Sequence, residues 1–238
     1  RGLCPEYLYH GNATLRRSQE EVCGEVLTLP GKEIHLLDDD IACNPDYYRD
    51  MFRRLWHYHR YWDVNAGVQL FEYLPLIDLM AKTGVKVVRL NESFLSNRLH
   101  DALADERLRR RLYRRVKLLH SRRMLVGTRL TFKLNPAADA SDIASVAKLL
   151  RRLDIDFVEA RFLRHEPRVG WVWTPVRYQQ QMEETDPAMI RAAFYGWSAI
   201  LDRLIRRPRR VGFYTTLVYL LRYSLSYRQN FLEGIPCP

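Results

Sequence analysis

Apolar and polar positions along the chain switch repeatedly between two periods. A period near 3.6 predicts helices, and a period of two predicts strands. Ser18–Thr28 reads as a short helix, with Ser18 as its cap and Glu20 and Glu21 in its first turn. Ile34–Asp38 reads as a buried strand. Pro45 opens a helix that runs to about Arg60, with Asn44 as its N-cap. Val64, Ala66, Val68 and Leu70 then alternate with Asn65, Gly67 and Gln69, which is strand periodicity. Tyr73–Thr83 is helical, and Gly84 stops it.

The alternation continues with a strand at Val85–Leu90 and one long or two joined helices over Arg98–His120. Leu125–Leu134 is a strand, Ser141–Leu153 a helix, Ile155–Leu163 a strand and Pro187–Arg206 a helix. A last helix follows Pro208–Gly212. Such alternation predicts a parallel sheet with crossover helices, an α/β class. The expected architecture is a partial (β/α)6 TIM-like barrel with outer helices and a truncated first strand. Residues 1–186 form the barrel, and 187–238 form a C-terminal helical extension. Active groups of such folds sit at the carboxyl ends of strands. Those ends are Asp38-Asp39-Asp40, Gln69, Asn91-Glu92-Ser93, Lys133-Leu134-Asn135 and Arg164-His165.

Composition narrows the class. A 47% hydrophobic share over 238 residues suits a globular chain, and four cysteines are too few for a disulfide scaffold. The net charge of +10 is uneven: residues 1–100 carry −2 and residues 101–238 carry +12. Arginine supplies 32 of the 38 cations, and its planar fork suits bidentate anion contacts. The longest apolar stretch, Val211–Tyr223, is interrupted by Arg222 and falls short of the roughly 20 residues that span a bilayer. With no signal peptide visible, the expectation is a cytoplasmic protein, with peripheral membrane contact at the tail.

Several local words, in order, carry a family resemblance. They are Arg1-Gly2-Leu3-Cys4-Pro5, then Arg17-Ser18 followed by Glu20-Glu21-Val22. Leu37-Asp38-Asp39-Asp40 with Asn44 comes next, then Leu76-Ile77-Asp78-Leu79-Met80-Ala81 with Gly84, and last Glu92-Ser93 after a strand. In this order the chain resembles the catalytic barrel of the radical S-adenosylmethionine (SAM) superfamily. It is most similar to the cobalamin-binding branch that includes the oxidative cyclase of bacteriochlorophyll synthesis. The resemblance covers roughly Arg1 to Phe194.

One departure matters more than these matches. The family loop, Cys-x-x-x-Cys-x-x-Cys, holds three irons of a 4Fe–4S cluster by three thiolates. Counted from Cys4, the other two positions are Leu8 and Gly11, which cannot ligate iron. Cys4 is thus all that is left of the cluster loop, and a 4Fe–4S cluster is not expected from this chain.

The resemblance implies a SAM-like pocket at Asp39, Asp40, Gln69, Glu92 and Ser93, where carboxylates suit amino and ribose hydroxyl partners. Metal or polar-substrate binding is the other functional reading of the Asp38–Asp40 carboxylates. A solvated loop capping the next helix is the structural one. An inward row of Asn65, Gly67 and Gln69 would make a polar lumen. His57 and His59 lie two apart in the ring-rich run Trp56–Trp62, a poor metal spacing for a helix, so packing or an interface explains them better. Arg109, Arg110, Arg111, Arg114, Arg115 and Lys117 flank an apolar stripe of Leu108, Leu112, Val116 and Leu119. That pattern is a solvated amphipathic helix or a phosphate-contacting one.

In the tail, Arg209 and Arg210 precede a helix on which Tyr219, Tyr223 and Tyr227 recur every four residues. This suits a membrane surface or a partner groove, and equally packing on the outside of the barrel. No catalytic residue is assigned. The expected role is a degenerate radical-SAM-like protein, acting as a ligand-binding or partner-binding subunit of a larger assembly. Its partner would be another protein or an upstream cobalamin-type domain. An active methyltransferase or cyclase, with its cluster ligated outside these residues, is the alternative. A basic nucleic-acid-binding protein, resting on charge alone, is the third reading.

Overall fold

Ser18 starts the first helix as its sequence demands. Its hydroxyl accepts from the Glu21 N–H at 3.2 Å, and the Glu21 carboxylate accepts the Ser18 N–H at 3.0 Å, a reciprocal capping box. The computed structural model describes residues 17–38, 40–91, 105–134, 140–164, 194–206 and 211–226. Helix α1 (Gln19–Thr28) leads into strand β1 (Glu33–Leu36), then α2 (Pro45–Leu55), β2 (Tyr61–Ala66), α3 (Leu74–Thr83) and β3 (Val85–Leu90). Helix α4 (Glu106–Ser121), β4 (Leu125–Leu134), α5 (Ala140–Arg152), β5 (Phe157–Arg164) and α6 (Trp197–Arg206) follow. The last helix, α7, comprises Phe213–Thr215, a π turn over Thr216–Leu220 and helical residues 221–226.

The five strands lie side by side in chain order, and every pair is parallel. The sheet is open, with β1 and β5 at its edges. The α/β class and the parallel sheet with flanking helices therefore agree with the sequence reading.

Register divides the side chains between two faces. Trp62, Val64 and Ala66 of β2 share a face with Val88 and Leu90 of β3, and with Val126 and Val158. All of these are buried. This face takes the helices: Phe52 of α2 meets Trp62 edge-on at 5.7 Å between centroids, and α4 packs Leu112, Val116 and Leu119 inward. A buried pair fixes α4 to the start of β5, where His120 Nε2 lies 2.8 Å from Asp156 Oδ2. The same oxygen accepts the Val126 N–H at 2.8 Å.

Two devices finish the β5 edge. The Tyr195 hydroxyl accepts from the Val158 N–H at 2.8 Å and donates to the Val158 carbonyl at 2.6 Å. Pairing the edge backbone in this way removes an open template for another strand. Arg203 of α6, buried, donates to the carbonyls of Asp156, Phe194 and Ala199 and holds α6 against that edge.

Some boundaries differ from the sequence reading. Strand β2 begins at Tyr61 and ends at Ala66, so Val68–Leu70 lies on a 3-10 turn, Val68–Glu72. The helix expected to reach Arg60 ends at Leu55 and tightens into a 3-10 turn over Trp56–Tyr58. His59 then turns the chain in the left-handed region, at φ 48°. In the segment expected to be helical over Arg98–His120, α4 is described from Glu106.

Candidate functional site

The second face of the sheet carries charge. Register places Glu33 and His35 of β1, Asp63 and Asn65 of β2, Arg89 of β3, Gly127 of β4 and Glu159 of β5 together. Asp63 is the centre of this group and is 6% exposed. Arg89 grips it in a fork, with Nε 3.0 Å from both carboxylate oxygens and Nη2 2.7 Å from Oδ2. His35 Nδ1 lies 3.1 Å from Oδ2, and the Tyr223 hydroxyl donates to the same oxygen at 2.7 Å. On its far side Arg89 Nη1 lies 3.8 Å from Glu159 Oε2. The polar line thus crosses the sheet from Glu159 to the half-open His35 at the β1 edge.

Burial alone would push the Asp63 carboxyl up. Hydrogen bonds from His35 and Arg89, the charge of Arg89 and the Tyr223 hydroxyl outweigh it, and the carboxyl ends below its ordinary range. The Tyr223 phenol moves the other way. Burial pushes it up, and the neighbouring Asp63 charge and hydrogen bond push it further. A buried carboxylate behind a half-exposed imidazole can orient the ring.

Helix α7 lies over this face. The ring of Tyr223 stacks on Phe157 at 5.2 Å, the Arg89 guanidinium sits 5.4 Å from its centroid, and Tyr219 meets Tyr61 edge-on at 6.1 Å. Phe157 in turn lies on Gly127, where a Cβ would come within 2.1 Å of its ring. At the β1 edge Arg222 pairs with Glu33. Tyr219 and Tyr223, read from the sequence as a partner or membrane surface or equally as packing on the outside of a barrel, are turned onto the sheet face itself, and Tyr219 is 4% exposed. Sheet packing explains their four-residue spacing, since only one side of α7 meets the strands.

At the carboxyl ends of the strands Asp40 is a clasp. Its Oδ1 accepts the N–H groups of Ala42 and Gly67 at 2.8 and 2.7 Å, and its Oδ2 faces Asn91 Nδ2 at 3.4 Å. Asn65 donates to the Asp38 carbonyl at 3.0 Å, and the Asp38 carboxylate accepts from Tyr48. These bonds tie the loops after β1, β2 and β3 to one another. Asp40 thereby spends one oxygen on backbone N–H groups and turns the other to the Asn91 amide. Gln69 is exposed on the 3-10 turn, so the inward Asn65–Gly67–Gln69 row does not form.

Cys4, Leu8, Gly11 and Asp39 lie outside the described residues, as do Glu92, Ser93, Arg209, Arg210 and Tyr227. Among the described residues no group of three His, Cys, Asp or Glu side chains could hold a metal ion. Nor is any described helix long and apolar enough to cross a membrane.

Sequence reasoning missed Asp63 and Arg89. The signal was present: Asp63 and Asn65 alternate with Trp62, Val64 and Ala66, which puts two polar residues on one face of an otherwise apolar strand. Compared with known proteins, the chain matches no protein-family model, no curated protein and no solved structure.

Proposed function

We propose that this chain is a non-catalytic, radical-SAM-like half-barrel that serves as a binding subunit of a larger assembly. One observation carries the reading: the chain's own α7 covers the sheet face opposite the helices, with Tyr223 seated on Asp63. In a barrel that face is the lumen, and ligands sit at its strand-end mouth. Here the central carboxylate is met on all sides by groups of the same chain. The sequence supports the reading independently, because Leu8 and Gly11 stand where a three-thiolate loop needs cysteines. The partner class that the resemblance implies is another protein or a cobalamin-type domain.

Anaerobic reconstitution with iron and sulfide tests this. The expected absorption spectrum lacks the broad iron–sulfur band near about 400 nm. A stable band with close to four irons per chain would make the protein an active family enzyme and overturn the proposal. Calorimetric titration with SAM then locates any ligand role. Saturable binding that Glu92→Ala abolishes places the nucleoside at the strand ends, and no heat leaves the role with a protein partner.

A further inference from the structure

Away from the sheet face, α4 and the turn after β2 flank an open cleft of about 490 Å³. Its walls are Arg107, Arg110, Arg111, Arg114 and Arg115 of α4, with Phe71 of the Val68–Glu72 turn opposite. The arginines fall at i, i+3, i+4, i+7 and i+8, which is one stripe of a helix. That stripe lies beside the buried Leu112, Val116 and Leu119 and is no part of the core. Arg110 pairs with Glu106 at 2.6 Å. Among the described residues the guanidinium groups of Arg107, Arg111 and Arg114 take no carboxylate partner, while the Arg107 backbone N–H caps onto Asp105 at 2.8 Å. Like charges set this close raise one another's energy, and a multiply charged anion in the cleft relieves all of them together.

The shape of the cleft says which anion. A volume of about 490 Å³ falls within the range of small-molecule sites. Guanidinium forks match phosphate oxygens two at a time. The Arg115 guanidinium lies over the Phe71 ring, 5.4 Å from its centroid, so the two form one stacked pair at one end of the arginine stripe. A single-stranded nucleic acid needs successive aromatic platforms for successive bases. One platform beside several guanidinium groups fits one base followed by a short run of phosphates.

We propose that this cleft binds a nucleoside triphosphate, with its phosphates on Arg107, Arg111 and Arg114 and its base against Phe71 and Arg115. The site lies on the helix side of the sheet and is independent of the covered face, so it stands or falls apart from the binding-subunit reading.

Fluorescence titration of the full chain with a fluorescently labelled ATP, at physiological salt, tests it. Unlabelled ATP, GTP, inorganic tripolyphosphate and a short single-stranded oligonucleotide serve as competitors. The expected result is saturable one-to-one binding, displaced by ATP and GTP. The double substitution Arg111→Glu/Arg114→Glu, at two exposed positions, weakens it by at least about tenfold with an unchanged circular dichroism spectrum. Phe71→Leu weakens nucleotide binding and leaves tripolyphosphate binding as it was. Absence of saturable binding, or equal binding by the double variant, overturns the proposal. Tripolyphosphate competing as well as ATP, with no effect of Phe71→Leu, removes the nucleoside. An oligonucleotide that outcompetes ATP and weakens steeply with salt makes the cleft a nucleic-acid surface instead.

Discussion

Asp63 is a buried charge held by side chains of three other elements, His35 of β1, Arg89 of β3 and Tyr223 of α7. Its carboxylate is buried and held below the ordinary range by His35, Arg89 and Tyr223. Removing the charge with Asp63→Asn leaves Arg89, whose side chain is 13% exposed, with Glu159 at 3.8 Å as its remaining carboxylate on the sheet face. The expected loss is about 3 kcal/mol in urea unfolding, because the buried guanidinium loses the carboxylate that its fork grips. The pH dependence follows from the direction of the shift. A depressed carboxyl contributes its full stability above the unfolded value, about pH 4, and loses it as pH falls through the folded value. Thermal midpoints measured through the acid range should fall less steeply in Asp63→Asn than in the natural chain, and parallel curves would refute the assignment. Tyr223 has the opposite sign. Its raised phenol contributes fully below its unfolded value, about pH 10, and the contribution is lost as pH rises through the folded one. Tyr223→Phe should therefore flatten the alkaline limb of the same midpoint curve.

At the scale of single elements, two glycines show where backbone and side chain meet with no room to spare. Gly84 ends α3 at φ 98°, and a Cβ there would lie 2.3 Å from the Arg60 carbonyl oxygen. Gly84→Ala meets both the left-handed strain and that backbone, and about 2 kcal/mol or more of stability should be lost on denaturation. Gly127→Ala acts differently. It drives the Phe157 ring off β4, and because that ring stacks on Tyr223 the disturbance passes to α7. A loss of about 1–3 kcal/mol together with a changed near-ultraviolet dichroism spectrum is expected. An unchanged aromatic spectrum would show that the stack does not depend on the glycine. Gly84 and the Ser18 cap were legible in the sequence, because each acts within one helical turn of itself. The end of β2 was not: Val68 and Leu70 prolong the alternation of Val64 and Ala66 after the chain has left the sheet. Nor was the Asp63–Arg89 fork, whose partners stand 26 residues apart and meet only once β2 and β3 pair.

For the molecule as a whole, strand order dictates what the C-terminal helix must do. Parallel strands in sequential order, joined by crossovers of one hand, put their connecting helices on one face of the sheet. The other face then has no cover from within the repeating pattern. A closed barrel would hide it in a lumen, but this sheet is open, and Tyr61, Phe157 and the Asp63–Arg89 pair would meet water. The sequence could show the repeating pattern, since each unit is local, and it could place a helix after Pro208–Gly212. It could not show where α7 docks, because Tyr223 and Asp63 are 160 residues apart. Cover comes from beyond the last strand: Tyr223 of α7 stacks on Phe157 of β5, and the adjacent Arg222 pairs with Glu33 of β1. Deleting residues 207–238 should thus do more than shorten the chain. It uncovers the apolar rings and puts the buried fork in water, where an exposed ion pair contributes at most about 1 kcal/mol. The truncated protein should bind an apolar dye such as anilinonaphthalene sulfonate and unfold at a lower midpoint. Its Asp63→Asn variant should then differ little from its own parent. If the truncated chain binds no dye and Asp63→Asn remains as costly as in the full chain, the sheet face is protected by something other than α7.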